Sequence, residues 1–295
     1  MSVLITGATG LTGELLLQQL AAAQPGAKFG CLIRPSSRTN ALEHLNLKLS
    51  YYIGDTAEVN TWQHYFAQQQ PSTIVHIASI RHVPAILQAL EPLAYRPRLI
   101  VVGTTGVYSQ YNQYSATYKT IEAQLTAYAG PNCLLRPTMI YGSHRDRNLH
   151  KLLCFCNRYH CFPVFGSGQC LLQPIHAADL AQAICSILNM PDIQGNYDLS
   201  GGSVVTFVEL LNLVACLLKR SVYQIALPLP LGLLAASLAE AVLPRSPVRR
   251  EQILRLQEDK AYSHTAATQA FGFMPRSLAI GLSQEVQLLQ ARGLI

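Results

Sequence analysis

Short apolar runs alternate with longer amphipathic segments through the first half of the chain. Six runs rich in β-branched or aliphatic residues, among them VLI, FGCLIR, STIVHIA and RLIVVGTT, are separated by helix-period segments such as LTGELLLQQLAAA and VPAILQALEPLA. Continuous apolar strands joined by helical crossovers are typical of a parallel sheet that is covered on both faces. The pattern therefore predicts a doubly wound α/β domain over residues 1–142.

The second half of the chain follows a looser pattern. Helical segments such as NLHKLLCFCNRY, AADLAQAICSILN and TFVELLNLVACLLK are interspersed with short strands such as NYDLS. No break in composition and no Gly/Ser-rich linker separates the two halves. The sequence therefore predicts a smaller, mostly helical C-terminal lobe over residues 143–295, packed against the first domain.

The chain carries more apolar residues than an ordinary soluble domain. Only 13% of its 295 residues are charged and 49% are hydrophobic, against a usual charged share of about 25%. We therefore expect part of the surface to face a protein partner, a second copy of the chain or a membrane. The longest apolar segment, residues 225–239, is about five residues shorter than the roughly 20 that a spanning helix needs. It is predicted to be a strand end followed by a buried helix, with a shallow lipid-contacting helix as the alternative.

Charge and cysteine placement exclude several classes of function. The formal charge of +6 is concentrated in RPSSR, RDRNLHK and RSPVRR, which suit phosphate-bearing small molecules better than nucleic acid. Eight cysteines are scattered through predicted strands and helices, which favours reduced thiols. Cys-x-Cys in CFCNRYHC lacks the usual spacer of structural zinc sites, so no metal is expected. No basic stretch precedes an apolar run at the N-terminus, so we expect a cytoplasmic protein, with attachment to the inner face of the membrane as the alternative.

A glycine-rich turn directly follows the first apolar run. In TGATGLTG, the glycines permit a tight turn, a close backbone approach to a pyrophosphate and close packing of the following helix. The T-G-x-x-G-x-x-G form resembles the short-chain dehydrogenase/reductase superfamily, specifically its extended or atypical members related to NAD(P)-dependent sugar-nucleotide epimerases and dehydratases. The resemblance implies a Rossmann fold and a dinucleotide held by the loop residues Gly7, Thr9, Gly10, Leu11, Thr12 and Gly13.

The second predicted strand indicates which dinucleotide is bound. It ends in CLIRPSSR, with Arg34 where an acidic residue would accept the ribose hydroxyls of NAD, and with Arg38 nearby. Cations at this place favour the 2′-phosphate of NADP, although a guanidinium that stacks on adenine would leave NAD as the alternative. By resemblance, Asp55 meets the adenine edge, Ala78 lies beside the adenosine ribose and Pro137 borders the nicotinamide.

The stretch YNQYSATYKTIE stands where the family has its catalytic tyrosine and lysine. Working members use a tyrosine as acid/base, a lysine four residues later on the same helix face, and a serine or threonine that orients the substrate. The family's usual interval of nineteen residues before Pro137 gives Tyr118 at the lysine position and therefore Tyr114 at the tyrosine position. Lys119 is one residue further on, rotated by about 100° around the helix.

The third catalytic candidate is Thr104 in VVGTTGVYS, which by resemblance matches the hydroxyl position of the family's S-x-x-V-Y signature, with Thr105 as the alternate. The catalytic set predicted by resemblance is therefore Tyr114, Thr104 and Lys119. Because Tyr118 cannot supply the lysine's positive charge, the motif is rearranged. The tyrosines could equally be ordinary packing residues at helical spacing.

The resemblance extends into the second half and leads to two hypotheses of function. Arg145, Arg147 and Gln173 are the expected contacts to the diphosphate of a nucleotide sugar, with a solvated basic loop as the alternative. The first hypothesis is an epimerase, dehydratase or other oxidoreductase acting on a nucleotide-linked or polyprenyl-linked sugar. The second is a non-catalytic NADP(H)-binding subunit, assembly factor or redox sensor.

Overall fold

The computed structural model describes residues 2–146, 148–242 and 250–295. Thirteen strands lie within these ranges: β1 (Val3–Thr6), β2 (Lys28–Ile33), β3 (Lys48–Ile53), β4 (Thr73–His76), β5 (Arg98–Val102), β6 (Asn132–Pro137), β7 (Ile140–Tyr141), β8 (Cys161–Phe165), β9 (Leu171–Leu172), β10 (Ile175–His176), β11 (Gly195–Leu199), β12 (Val205–Thr206) and β13 (Tyr223–Leu227).

Eleven α-helices lie within the same described ranges: α1 (Leu11–Ala23), α2 (Val59–Gln68), α3 (Val83–Leu90), α4 (Ser115–Ala127), α5 (Leu149–Tyr159), α6 (Ala177–Leu188), α7 (Phe207–Leu218), α8 (Leu229–Val242), α9 (Arg250–Arg255), α10 (Thr265–Phe271) and α11 (Leu278–Ala291). Two short 3₁₀ turns, Ile80–His82 and Thr105–Tyr108, follow β4 and β5.

The central layer is a seven-stranded parallel sheet in the order β11-β6-β5-β4-β1-β2-β3. Every residue of β1, β4 and β5 is buried, as expected for strands covered on both faces. The chain order reverses between β1 and β4, which creates a crevice at the carboxyl ends of these two strands. The predicted α/β fold with a doubly wound parallel sheet is confirmed.

The sheet draws on both sides of residue 142. β11 comes from the predicted C-terminal lobe and pairs in parallel with β6, from Gly195 opposite Cys133 to Leu199 opposite Pro137. Helix α6 packs on the same face as α1, and Gln19 donates a hydrogen bond from Nε2 to the carbonyl oxygen of Ala178 at 3.0 Å. The division into 1–142 and 143–295 stays a prediction, and the later residues complete the nucleotide-binding sheet.

The C-terminal half also has a hydrophobic core of its own. Buried residues of α5, α7 and α11 pack together around Tyr141, which is 1% exposed. The close approach of α11 is possible because Gly281 faces the ring of Tyr141, where a Cβ atom would lie 2.0 Å from the Tyr141 hydroxyl. This core fixes α11 against the end of β7, beside the crevice.

The apolar segment 225–239 does not form the buried helix that its composition predicts. Its first residues belong to β13, which pairs with β8, so the predicted strand end is present. The helix that follows, α8, leaves Leu231, Leu234 and Leu238 about 60% exposed, whereas Gly232 and Ala236 are buried. Hydrophobicity does not reveal which side of a uniformly apolar helix is covered. No helix in the described ranges is long and apolar enough to cross a membrane.

Arg98, at the start of β5, ties the sheet to the C-terminal end of α6. Its side chain donates hydrogen bonds to the carbonyl oxygens of Ile187 at 3.0 Å and of Met190 and Ile193 at 2.9 Å. The residue is 6% exposed. A cation at this end of a helix also interacts favourably with the helix dipole.

We predict that Arg98→Met lowers the free energy of unfolding by about 2–4 kcal/mol, because one buried and two part-buried carbonyl groups lose their charged donor. Urea unfolding followed by circular dichroism measures the change. Arg38→Met, at an exposed arginine, is the matched control and should change stability by less than about 0.5 kcal/mol. Equal stability of the two variants would contradict the structural role of Arg98.

Candidate nucleotide site

A cavity of about 1070 Å³ opens at the carboxyl ends of the central strands, at the place where the strand order reverses. In parallel α/β sheets this crevice is the usual ligand site. The cavity brings together twelve residues predicted from the sequence: Gly7, Thr9, Gly10, Leu11, Thr12, Gly13, Arg34, Asp55, Ala78, Thr104, Pro137 and Arg145.

The glycine-rich turn has the geometry that an approaching pyrophosphate requires. Gly7 has φ of +72°, a conformation that favours glycine. A Cβ atom on Gly13 would lie 2.1 Å from the carbonyl oxygen of Gly7, so α1 packs directly on the turn. A Cβ atom added to Gly10 would lie 3.2 Å from the same oxygen, a looser contact than at Gly13. Gly10 also lines the cavity.

The N-terminus of α1 points its free backbone groups at this cavity. Gly10 is the N-cap residue, and no side chain of the described residues caps the helix there. The first N–H groups of α1 are therefore available to an anion, and the helix dipole favours a negative charge at the same place. These features fit the pyrophosphate of a dinucleotide.

The far end of the cavity carries the predicted adenosine contacts. Arg34 is exposed directly after β2, where its backbone N–H and carbonyl both hydrogen-bond Ser37 in a tight turn. Within the described ranges its guanidinium forms no ion pair. Asp55 follows β3 and accepts a hydrogen bond from the backbone N–H of Ala57 at 2.9 Å. Arg38, in contrast, does not line the cavity.

A buried histidine joins β1 and β4 at the carboxyl ends of these strands. His76, at the end of β4, shares a hydrogen bond between Nδ1 and the Thr6 hydroxyl at 2.9 Å, and its Nε2 lies 3.0 Å from the carbonyl oxygen of Ser79. Burial lowers the pKa of His76 to about 4, so the ring is neutral at physiological pH. His76 therefore links the ends of β1 and β4 without adding charge to the site.

The structure brings only one of the three catalytic candidates to the cavity wall. Thr104 lines the cavity, and its hydroxyl accepts a hydrogen bond from the N–H of Gly106 at 3.0 Å. Tyr114 precedes α4 and Lys119 is exposed on that helix, and neither lines the cavity. Tyr118 is half-buried against the core of the first domain, with its ring centroid 6.3 Å from that of Tyr114.

An ion pair explains why α4 has this rotation. Glu122 accepts two hydrogen bonds from the guanidinium of Arg136 on β6, at 2.9 and 2.7 Å. Residues four apart share a helix face, so Tyr118 lies on the same side as Glu122 and faces the protein. Lys119, about 100° away, faces solvent.

Arg81 is a lining residue that the sequence analysis did not identify. It lies in the 3₁₀ turn after β4 and lines the cavity, and its guanidinium carbon is 4.7 Å from the centre of the Tyr114 ring. The available signal was a cation three residues after Ala78, at the end of an apolar strand. Arg81 therefore places a positive charge beside both the cavity and the tyrosine.

The predicted substrate contacts lie in different surroundings. Arg145 lies over the glycine-rich turn, where it pairs with Glu14 at 2.7 Å and donates to the carbonyl oxygen of Thr9 at 3.4 Å. Arg145 is thus at the predicted pyrophosphate position. Arg147 lies outside the described residues.

The expectation for Gln173 needs correction. Its side-chain amide donates to the carbonyl oxygen of Gly201 at 2.8 Å and accepts from the N–H of Tyr262 at 3.0 Å. The residue is buried and does not line the cavity, so these contacts give it a structural place. His176 likewise caps α6, because its Nδ1 accepts from the N–H of Ala178 at 3.1 Å.

Comparison with known proteins relates this site to one family. Residues 3–96, which include the glycine-rich turn, match the model of the NAD dependent epimerase/dehydratase family. The matched residues make up about a third of the chain. The resemblance predicted from the sequence is therefore confirmed.

Two curated relatives of this chain carry the same description, NADH dehydrogenase [ubiquinone] 1 alpha subcomplex subunit 9, mitochondrial. The protein from Dictyostelium discoideum is 34% identical, over 32% of this chain and 27% of its own length. The protein from Arabidopsis thaliana is 23% identical, over 82% of this chain and 64% of its own length. The chain thus spans less than two-thirds of the length of either relative.

Solved structures of epimerases and dehydratases share the whole fold. A UDP-glucose 4-epimerase from Thermotoga maritima with UDP-glucose has a TM-score of 0.73 and 16% identity, with 99% of each chain covered. A dTDP-glucose 4,6-dehydratase from Bacillus anthracis in complex with NAD has a TM-score of 0.74 and 16% identity, with 100% of each chain covered. At these identities the similarity establishes the fold alone.

We predict that Gly10→Val keeps the fold and weakens NADPH binding at least 100-fold, because its side chain enters the space of the pyrophosphate. Titration calorimetry measures the affinity, and circular dichroism checks the fold. Gly13→Val is the matched comparison and should lower stability by about 3 kcal/mol or more, since its side chain meets backbone. Unchanged affinity in a folded Gly10→Val protein would mean that the turn is only structural.

Proposed function

We propose that the protein is an NADP(H)-binding member of the epimerase/dehydratase type that keeps the nucleotide site but lacks the usual tyrosine–lysine proton transfer. The observation that carries the proposal is the contrast between the two ends of the site. The glycine-rich turn, Arg34 and Asp55 line one continuous cavity. The lysine position of α4, by comparison, is filled by Tyr118, which packs against the core.

The choice of NADP rests on Arg34. Its guanidinium has no carboxylate partner among the described residues, and it lines the cavity at the end of β2. A 2′-phosphate would satisfy such a cation with charge-assisted hydrogen bonds. The ribose hydroxyls of NAD carry no charge and would not neutralise the Arg34 guanidinium. We therefore infer that the extra phosphate of NADP is bound by Arg34, and we assign no such role to Arg38.

The absence of a lysine in the usual position supports a non-catalytic role. A tyrosine that exchanges protons with a substrate needs a nearby cation that stabilises its phenolate form. Lys119 faces solvent and Tyr118 is uncharged as a phenol, so α4 does not provide this cation. The description of both curated relatives as subunits of an NADH dehydrogenase supports a role as a nucleotide-binding subunit or assembly factor. The cytoplasmic location and the protein, oligomer or membrane partners stay predictions.

A second candidate function is supported by Arg81. The Arg81 guanidinium lies over the Tyr114 ring and belongs to the 3₁₀ turn after β4, not to α4. Its positive charge could take the place of the missing lysine charge beside Tyr114. In that case Tyr114 and Thr104 would act on a nucleotide-linked or polyprenyl-linked sugar, as an epimerase, dehydratase or reductase. Bound NADP(H) would supply the hydride chemistry, and the protein would supply the acid/base group.

We predict that Arg34→Asp weakens NADPH binding about 10- to 100-fold and does not weaken NADH binding, because only the 2′-phosphate loses a partner and the new carboxylate can accept the ribose hydroxyls of NADH. Calorimetric titration with both nucleotides measures the effect. Arg38→Asp serves as the control, because it makes the same charge change outside the cavity. Equal affinity of the wild-type protein for NADPH and NADH would refute the assignment of NADP.

We predict that wild-type protein and Tyr114→Phe both bind NADPH and both fail to turn over UDP-glucose or UDP-glucuronic acid at pH 7–10. The assay follows nucleotide absorbance and sugar products after long incubation with the loaded protein. Turnover by the wild-type protein that disappears in Tyr114→Phe and in Arg81→Met would establish the second candidate function. Turnover that survives Tyr114→Phe would exclude both assignments.

A further inference from the structure

Two buried carboxyl groups meet beside the nucleotide cavity. Asp146, in the segment 142–146 that follows β7, lines the cavity and is 7% exposed, and Glu285 in the middle of α11 is 1% exposed. Within the described ranges, no N–H or O–H donor reaches either carboxyl oxygen of Glu285 or Oδ2 of Asp146, so three buried oxygens lack a partner as long as both groups are charged. The carboxyl of Glu285 is adjacent to that of Asp146.

The two groups must share a proton, because adjacent buried carboxylates cannot both be charged at neutral pH. Burial, with the adjacent Asp146, raises the pKa of Glu285 to about 10. Burial would also raise the pKa of Asp146, but hydrogen bonds from Glu285 and from the backbone N–H groups of Asn148 and His150 outweigh burial and lower it. Glu285 therefore holds the proton and donates it in a hydrogen bond to Asp146.

The other contacts of Asp146 leave one oxygen for Glu285. Its Oδ1 accepts from the N–H of Asn148 at 2.9 Å and from the N–H of His150 at 3.2 Å, and the His150 ring nitrogen Nδ1 lies 3.2 Å away. The remaining Oδ2 has no such donor in the described chain. The titratable groups packed around Glu285 are Asp146, Tyr141, Cys154 and, next to Asp146, His150.

Asp146 of this pair is next in the chain to Arg145, which contacts the glycine-rich turn. Arg145 precedes Asp146 in the chain, and its guanidinium pairs with Glu14 and reaches the carbonyl of Thr9. A continuous series of contacts thus leads from α11 through Glu285, Asp146 and Arg145 to the turn that begins α1.

We propose that Glu285 is a positioning residue for the nucleotide site: its hydrogen bond to Asp146 fixes the segment 142–146, so that Arg145 is held where the pyrophosphate binds. This inference rests on the proposed NADP(H)-binding function. Arg145 has a planar guanidinium with five donors, and its bonds to Glu14 and Thr9 leave further donors for phosphate oxygens. Without Glu285, the buried Asp146 carboxylate would lose its donor, and the segment that carries Arg145 would move toward solvent.

The test compares two substitutions of Glu285 by their NADPH affinity at pH 7. Glu285→Leu should weaken binding about tenfold, because the positioned Arg145 contact is lost. Glu285→Gln should bind within about twofold of the wild-type protein, because an amide N–H donates to Asp146 as the protonated carboxyl does. Gln287→Leu, an exposed site on the same helix, is the control for placing leucine on α11 and should also bind normally.

A double substitution separates positioning from general destabilisation. Arg145→Ala alone should weaken NADPH binding about tenfold, and Arg145→Ala with Glu285→Leu should be no weaker, because both changes remove one contact. Thermal unfolding followed by circular dichroism identifies conditions in which every variant is folded, and affinities are measured under these conditions. Wild-type affinity in Glu285→Leu, or losses that multiply in the double variant, would overturn the inference. Failure of the wild-type protein to bind NADPH or NADH would overturn the proposed function as well, and is a separate result.

The shared proton gives a second readout. The pKa of Glu285 is raised from 4.5 to about 10 by folding, so between these pH values the folded state holds one proton more than the unfolded state. The stabilising effect is therefore complete below about 4.5 and is lost progressively as the pH rises toward about 10. Chemical unfolding across this range should show wild-type stability falling relative to Glu285→Gln. A difference that does not change with pH would place the proton elsewhere.

Discussion

The close contact of α1 with the turn after β1 is the constraint on which the nucleotide site depends. At Gly13 there is no room for a side chain, since a Cβ atom would lie 2.1 Å from the Gly7 carbonyl oxygen. The contact holds the positive end of the helix dipole at the sheet edge and places Glu14 in the first turn. Arg145 then pairs with that glutamate. A covered anion site thus follows from one missing side chain.

The rotation of α4 about its axis decides which of its side chains face the protein and which face solvent. The ion pair of Glu122 with Arg136 fixes which face of the helix meets the sheet. That face carries Tyr118, and a shift of the cation by a single position, to Lys119, places its charge on the solvent side. The glycine-rich turn and the position of the family's lysine therefore depend on two different helices, α1 and α4.

Local sequence patterns predict much of the first domain and less of the rest. The six apolar runs and the spaced glycines are local signals, and the structure has strands and a turn at those places. The partner of β11 could not be predicted, because its pairing with β6 joins residues about sixty positions apart. Arg81 beside Tyr114 could not be predicted either, because the two residues are far apart in the chain. The side-chain amide of Gln173 likewise hydrogen-bonds backbone groups that are distant in the sequence. Hydrophobicity alone also predicted a buried helix at α8, whereas three of its leucines are exposed.

The pairing of β11 with β6 has a consequence for how the protein can be divided. A fragment that ends at residue 142 would leave β6 as a bare edge strand, with unpaired backbone groups along an apolar run. Such edges recruit other chains and lead to aggregation. The nucleotide-binding half is thus not an exchangeable module, and its solubility depends on residues synthesised some sixty positions later.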